Sequence, residues 1–89
     1  YAAMKEQDNM LNERLYKVFA ETVLSLDYAG NFIVIKTFSG AANAAAEALD
    51  AFDLKEIVGT VAGDNTIFVL VRNQENVIPV IERFKKLMK

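Results

Sequence analysis

The chain has 89 residues, 53% of them hydrophobic and 25% charged, with a formal net charge of −2 and a pI near 5.0. That composition describes one globular domain rather than a disordered segment, of a size at which folding buries only about two-thirds of the surface that the unfolded chain exposes. The absence of Cys and His excludes disulfides, thiolate chemistry and the commonest general base and metal ligand, and the acidic balance argues against nucleic-acid binding by these residues.

No apolar run approaches the roughly 20 residues of a membrane span and no signal-peptide pattern is present, so a soluble, cytoplasmic protein is expected. Residues 1–9 are polar and unpatterned and read as a linker. From Asp8 or Asn9 as N-cap, Leu11, Leu15, Val18 and Phe19 fall at helical spacing and predict a short helix leading into the domain. The chain opens on Tyr1 and reads as a piece of something longer, with linker and helix over 1–19 and the domain proper over 20–89.

Thr22 to Asp27 alternates as a strand does, Leu24 and Leu26 on one side, Val23, Ser25 and Asp27 on the other. Tyr28-Ala29-Gly30-Asn31 supplies a turn, and Phe32 to Phe38 is a second strand rich in β-branched and aromatic residues. Ser39-Gly40 ends it. Residues 41–52 are seven-twelfths Ala, the residue of highest helix propensity, and small side chains also let a helix lie close to a sheet or to another chain. A second hairpin is expected over Ile57 to Arg72 around Gly63-Asp64-Asn65, residue types well suited to a tight turn.

The last helix carries one apolar stripe, Val77, Val80, Ile81, Phe84, Leu87 and Met88. It should start at Asn76, because Pro79 is tolerated in a first turn and not in a helix interior. Its basic run, Arg83, Lys85, Lys86 and Lys89, suits the negative end of the helix dipole. The order ββαββα predicts an α+β, two-layer domain: a four-stranded antiparallel sheet with two helices on one face, preceded by the short N-terminal helix. Two helices cover one face only. Yet strand two sets Ile33 and Ile35 against Phe32, Val34 and Phe38, and strand four sets Ile67, Val69 and Val71 against Phe68 and Leu70. A second apolar face calls for a second protein surface, so an oligomer is expected.

With that order in hand, "DYAGNFIVIKT", the Ala-rich helix ending in "ALDAF", and above all "EIVGTVAGDNTIFVLVR" resemble the C-terminal domain of bacterial arginine repressors, over about residues 20–88. The resemblance implies a regulator and not an enzyme. It implies trimers that pair into hexamers and L-arginine as effector between them, with no other cofactor. Operator DNA would be bound only through a separate winged-helix domain. Carried over residue by residue, the two acidic positions after the loop Gly, which face the ligand's guanidinium, fall on Asp64 and Asn65. An Asp closing the helix falls on Asp50 and a Gln of its first turn on Asn43, while Thr60 and Ala62 match strand residues lining the pocket.

Two of these depart from the family pattern. Asn65 offers a neutral acceptor where an anion is usual, and a charged hydrogen bond is worth roughly 1.5–3 kcal/mol against about 1 for a neutral one, so arginine would weaken by about tenfold. Asn43 is one methylene shorter than Gln. The alternative is a paralogue that oligomerises as the partner subunit of another repressor without binding arginine. A pterin dehydratase is set aside because its chemistry relies on histidines. A βαββαβ regulatory module would need a helix where Tyr28 to Asn31 allows only a turn. On residue pattern alone Asp64 and Asn65 are good turn residues, and Asp50 is poorly placed for its helix dipole, which favours another reason for it.

Overall fold

A computed structural model describes residues 13–88 of the chain. The polar start, the Asp8 or Asn9 cap and Leu11 lie outside the described residues. Residues 13–22 are helical (α1), followed by β1 (Val23–Ala29), β2 (Phe32–Thr37), α2 (Ala42–Ala51), β3 (Ile57–Ala62), β4 (Thr66–Val71), a 3-10 turn (Gln74–Asn76) and α3 (Val77–Leu87). The four strands form one antiparallel sheet in the order β1-β2-β4-β3, so β2 and β4, the strands with apolar residues on both faces, are central and β1 and β3 are its edges.

One face of the sheet carries the core. Ile33 and Ile35 of β2 and Ile67, Val69 and Val71 of β4 are fully buried beneath Ala45, Ala48 and Leu49 of α2 and Val77, Val80 and Phe84 of α3. Each large side chain so buried contributes about 1.5–3 kcal/mol relative to exposure, whereas the alanines of α2 contribute by letting the helix approach the sheet closely. α3 starts where Pro79 requires, with Asn76 as N-cap and the ring in the first turn.

α1 belongs to this core. Phe19 is fully buried, its ring 5.5 Å from that of Phe84 and 6.0 Å from that of Phe52. The helix runs through Thr22, where a strand was expected. The Thr22 hydroxyl donates to the Val18 carbonyl at 2.7 Å, satisfying an acceptor of the last turn.

The alternation expected along β1 is also corrected. Val23 pairs with Thr37 and Ser25 with Lys36, which leaves Leu24 as the extra residue of a β-bulge. Val23 and Leu26 therefore share the core side, while Leu24 is 54% exposed. β3 has a similar irregularity at Val58.

The opposite face of the sheet is apolar and open. Phe32 and Phe68 are half exposed with their rings 6.4 Å apart, and Val61, paired with Phe68, is 73% exposed. With Ala29 and Val34 the two rings line a shallow hollow of about 230 Å³. The second apolar face expected from the sequence is there, and no helix among the described residues covers it.

Candidate functional site

The turn between β3 and β4 is built differently from its sequence. A tight turn of the primed kind places residues at positive φ, the reason Asn, Asp and Gly are favoured there. None of Gly63, Asp64 and Asn65 has positive φ. The loop is closed by Gly63 N–H donating to the Thr66 carbonyl at 2.8 Å, and the rest of its support is tertiary. The Asp64 carbonyl accepts from Gly40 N–H at 3.1 Å and Ala42 N–H at 3.2 Å, and the Asn65 carbonyl accepts from Thr37 N–H at 2.8 Å. α2 has no side-chain cap and no acidic residue in its first turn, so the Asp64 carbonyl takes up one of its orphan N–H groups. The backbone closes the turn, while the Asp64 side chain bonds outside it, to Ser39, and the Asn65 side chain accepts from the neighbouring Thr66 hydroxyl.

The Asp64 carboxylate is exposed and held on one side by the Ser39 hydroxyl, 3.0 Å from Oδ2. It sits at the N-terminal end of α2, where the helix dipole favours negative charge. Asn43, one residue into that helix, is exposed at the same end. Asp50 lies on the same side of α2 two turns further on, about 10 Å along the axis. There it accepts a 3.0 Å hydrogen bond from Thr60 of the adjacent edge strand, which offsets its position near the negative end of the dipole. Ala62 is half-buried two residues along β3 towards the turn, on the same side of the sheet as Thr60.

The six residues thus follow one edge of the molecule, between α2 and β3, in two groups. Asp64, Asn43 and Asn65 are at the turn end with Ala62 between, and Asp50 and Thr60 are joined below. What the arrangement offers is negative charge at both ends of a strip the length of two helical turns, suited to a ligand carrying positive charge at more than one point. Next to Asp50, a narrow groove of about 150 Å³ is lined by Asp53, Leu54 and Gly59. A larger hollow of about 480 Å³ lies elsewhere, among Tyr16, Phe52, Arg83 and Lys86, and touches none of the six.

Three participants escaped sequence reasoning. Ser39 reads as a strand terminator but holds the Asp64 carboxylate. Lys36 and Thr66 face each other across β2 and β4 and connect to Asn65, a relation that depends on a register between strands 30 residues apart. The basic run of α3 is partly engaged in exposed pairs, Arg83 with Glu56 at 3.3 Å and Lys85 with Glu82 at 3.8 Å. Among the described residues no cluster of three acidic side chains could hold a metal ion, and no helix is long and apolar enough to cross a membrane.

The sequence that builds this frame is matched among known proteins. The family model for the arginine repressor, C-terminal domain, matches residues 19–86. The chain is 54% identical over all 89 residues to the arginine repressor of Alkaliphilus oremlandii (strain OhILAs), covering 60% of that protein. It is 57% identical to the arginine repressor of Thermoanaerobacter sp. (strain X514), covering 59% of it, and 43% identical to that of Clostridium tetani (strain Massachusetts / E88), covering 58%. The chain belongs to the arginine repressor C-terminal domain family, a family of regulators and not of enzymes. It spans about three-fifths of the length of these relatives.

Proposed function

We propose that this domain assembles with copies of itself, as a trimer or a pair of trimers, and binds L-arginine as the effector of a cytoplasmic transcriptional regulator of arginine metabolism. The observation that carries the reading is that the Asp64 carboxylate does no work in its own turn. The turn is closed by backbone bonds, and the charge stands exposed at the end of α2. A guanidinium is the side-chain-sized cation that a carboxylate binds most specifically, through paired charge-assisted hydrogen bonds. Asp50 and Thr60 offer a second acceptor set for the ligand's ammonium end. The open Phe32 and Phe68 face gives self-association its driving force, since contiguous apolar surface of this kind marks an interaction site. Operator DNA is left to another part of the regulator, because the net charge of −2 opposes binding to phosphates by this domain.

Two measurements test this. Sedimentation at micromolar concentration should show no stable monomer, and Phe68→Asp should shift the population towards one. Calorimetric titration with L-arginine should give saturable heat, with lysine and citrulline weak or silent, since the first lacks the planar fork and the second its charge. A folded monomer that takes up no arginine at millimolar concentration would overturn the proposal.

A further inference from the structure

The three helices meet around a hollow on the side of the domain away from the open sheet face. Tyr16 of α1, Phe52 and Leu54 just beyond α2, and Arg83, Lys86 and Leu87 of α3 line its volume of about 480 Å³. Small-molecule pockets span about 300–1,000 Å³ and combine an apolar, aromatic lining with a few polar groups, and this hollow has both properties. The Tyr16 and Phe52 rings lie 5.1 Å apart, tilted by 46°, and Tyr16 remains 42% exposed. Aromatic surface is thus left open to a further planar group.

The charge around the hollow is one-sided. Arg83 and Lys86 are three residues apart on α3, so one helix face carries both heads. Lys86 has no carboxylate at ion-pair distance among the described residues. Arg83 has one, a single 3.3 Å contact from Nη1 to the half-buried Glu56, and a guanidinium has five N–H donors to place. The helix dipole accounts for basic residues in the last turn of α3, and Lys85 serves it as well as Lys86 does. It gives no reason for two cations to flank an aromatic hollow. Apart from Glu56, the neighbouring acids are kept away: Asp50 and Asp53 line the narrow groove on the other side of Leu54.

We propose that this hollow binds a small organic carboxylate with a planar aromatic body. Tyr16 and Phe52 take the aromatic body, and Arg83 and Lys86 take the carboxylate through charge-assisted hydrogen bonds. The site shares no residue with the arginine reading and goes beyond it.

The test titrates the full chain, in its assembled state, with 2-naphthylacetate and with the uncharged 2-naphthylacetamide, by calorimetry. The acid should bind with a Kd of about 1 mM or below and the amide about tenfold more weakly, since hydrogen bonds to a charged group are the stronger. Lys86→Met keeps the apolar stem and removes the charge, so it should weaken the acid by about fivefold and leave the amide unchanged. Tyr16→Ala should weaken both by about threefold. Because the open sheet face also accepts aromatic groups, amide shifts in NMR spectra of the same titration locate the ligand: they should centre on Tyr16, Phe52 and Lys86. Shifts centred on Phe68, equal affinity for acid and amide, or an acid titration unaltered in Lys86→Met would each overturn the proposal, as would the absence of saturable binding. L-Arginine should titrate identically into Lys86→Met and the unaltered protein, and an altered arginine titration would overturn the separateness of the two sites. Failure of the arginine reading leaves the naphthylacetate result to stand or fall by itself.

Discussion

The two hairpin turns lie at opposite ends of the sheet and hold themselves together by opposite means. Between β1 and β2, Gly30 takes φ +57° and Asn31 does not share it, the pattern of a II′ turn with Gly at its first central position. Asn31 then spends its side chain on the fold, donating from Nδ2 to the Val71 carbonyl at 2.9 Å, while its own carbonyl accepts from Val71 N–H at 2.8 Å. Between β3 and β4 no residue has positive φ, and anchoring is done by the carbonyls of Asp64 and Asn65 on the N-terminus of α2 and on Thr37. In the first turn both backbone and side chain are structural. In the second the backbone is structural and the Asp64 charge is free to be something else.

The largest expected effect separates fold from ligand at the second turn. Arginine should stabilise the assembled protein by RT ln(1 + [L]/Kd), about 2.7 kcal/mol at a hundredfold excess over Kd, visible as a raised melting temperature. Asp64→Ala should abolish that gain and, by removing the exposed Ser39 hydrogen bond and a charge at the N-terminal end of α2, lower the ligand-free stability by no more than about 1 kcal/mol. A large loss of ligand-free stability would show that the carboxylate serves the fold after all.

Next in size is the converse at the first turn. Asn31→Ala removes the partner of the Val71 carbonyl at the junction of β4 with the chain beyond it, and should cost about 1–2 kcal/mol in urea denaturation. The arginine titration should be unchanged, since Asn31 is at the far end of the sheet from Asp64. An altered arginine affinity in this variant would mean that the two ends are coupled and that the division of labour between them is false.

These contrasts show why some of the molecule was legible in its residues and some was not. The Ala-rich α2, the apolar stripe of α3 with Pro79 in its first turn and the two-faced central strands are local patterns, and local patterns appear in sequence as periods and propensities. The bulges at Leu24 and Val58 are not, because they arise when a strand meets its partner. For the same reason Val23 and Leu26 came out on opposite faces from alternation alone. Asp64 and Asn65 were legible as a turn, but how that turn is held lay in φ angles and in carbonyl bonds to Gly40 and Ala42, more than twenty residues away, and their role as a site stays a proposal. Ser39, Lys36 and Thr66 carry no pattern of their own. They matter only because the register brings them to the turn.

The smallest effect is the most direct comparison of the two turns, because one substitution can be made in both. At Gly30 an added Cβ meets nothing within 4 Å, so Gly30→Ala has no steric penalty from neighbours; its cost is that of holding an L side chain at φ +57°, about 1 kcal/mol. At Gly63 an added Cβ would lie 3.6 Å from the Thr66 carbonyl, an ordinary contact, and φ is not positive. Gly63→Ala then loses nothing in the folded state and reduces the freedom of the unfolded chain, for a gain of about 0.4 kcal/mol or slightly more. Opposite signs in ligand-free urea denaturation are therefore expected from the same chemical change. A loss of about 1 kcal/mol at both positions would mean that the second turn uses its glycine as the first does. Asp64 and Asn65 would then regain a structural reason to be there.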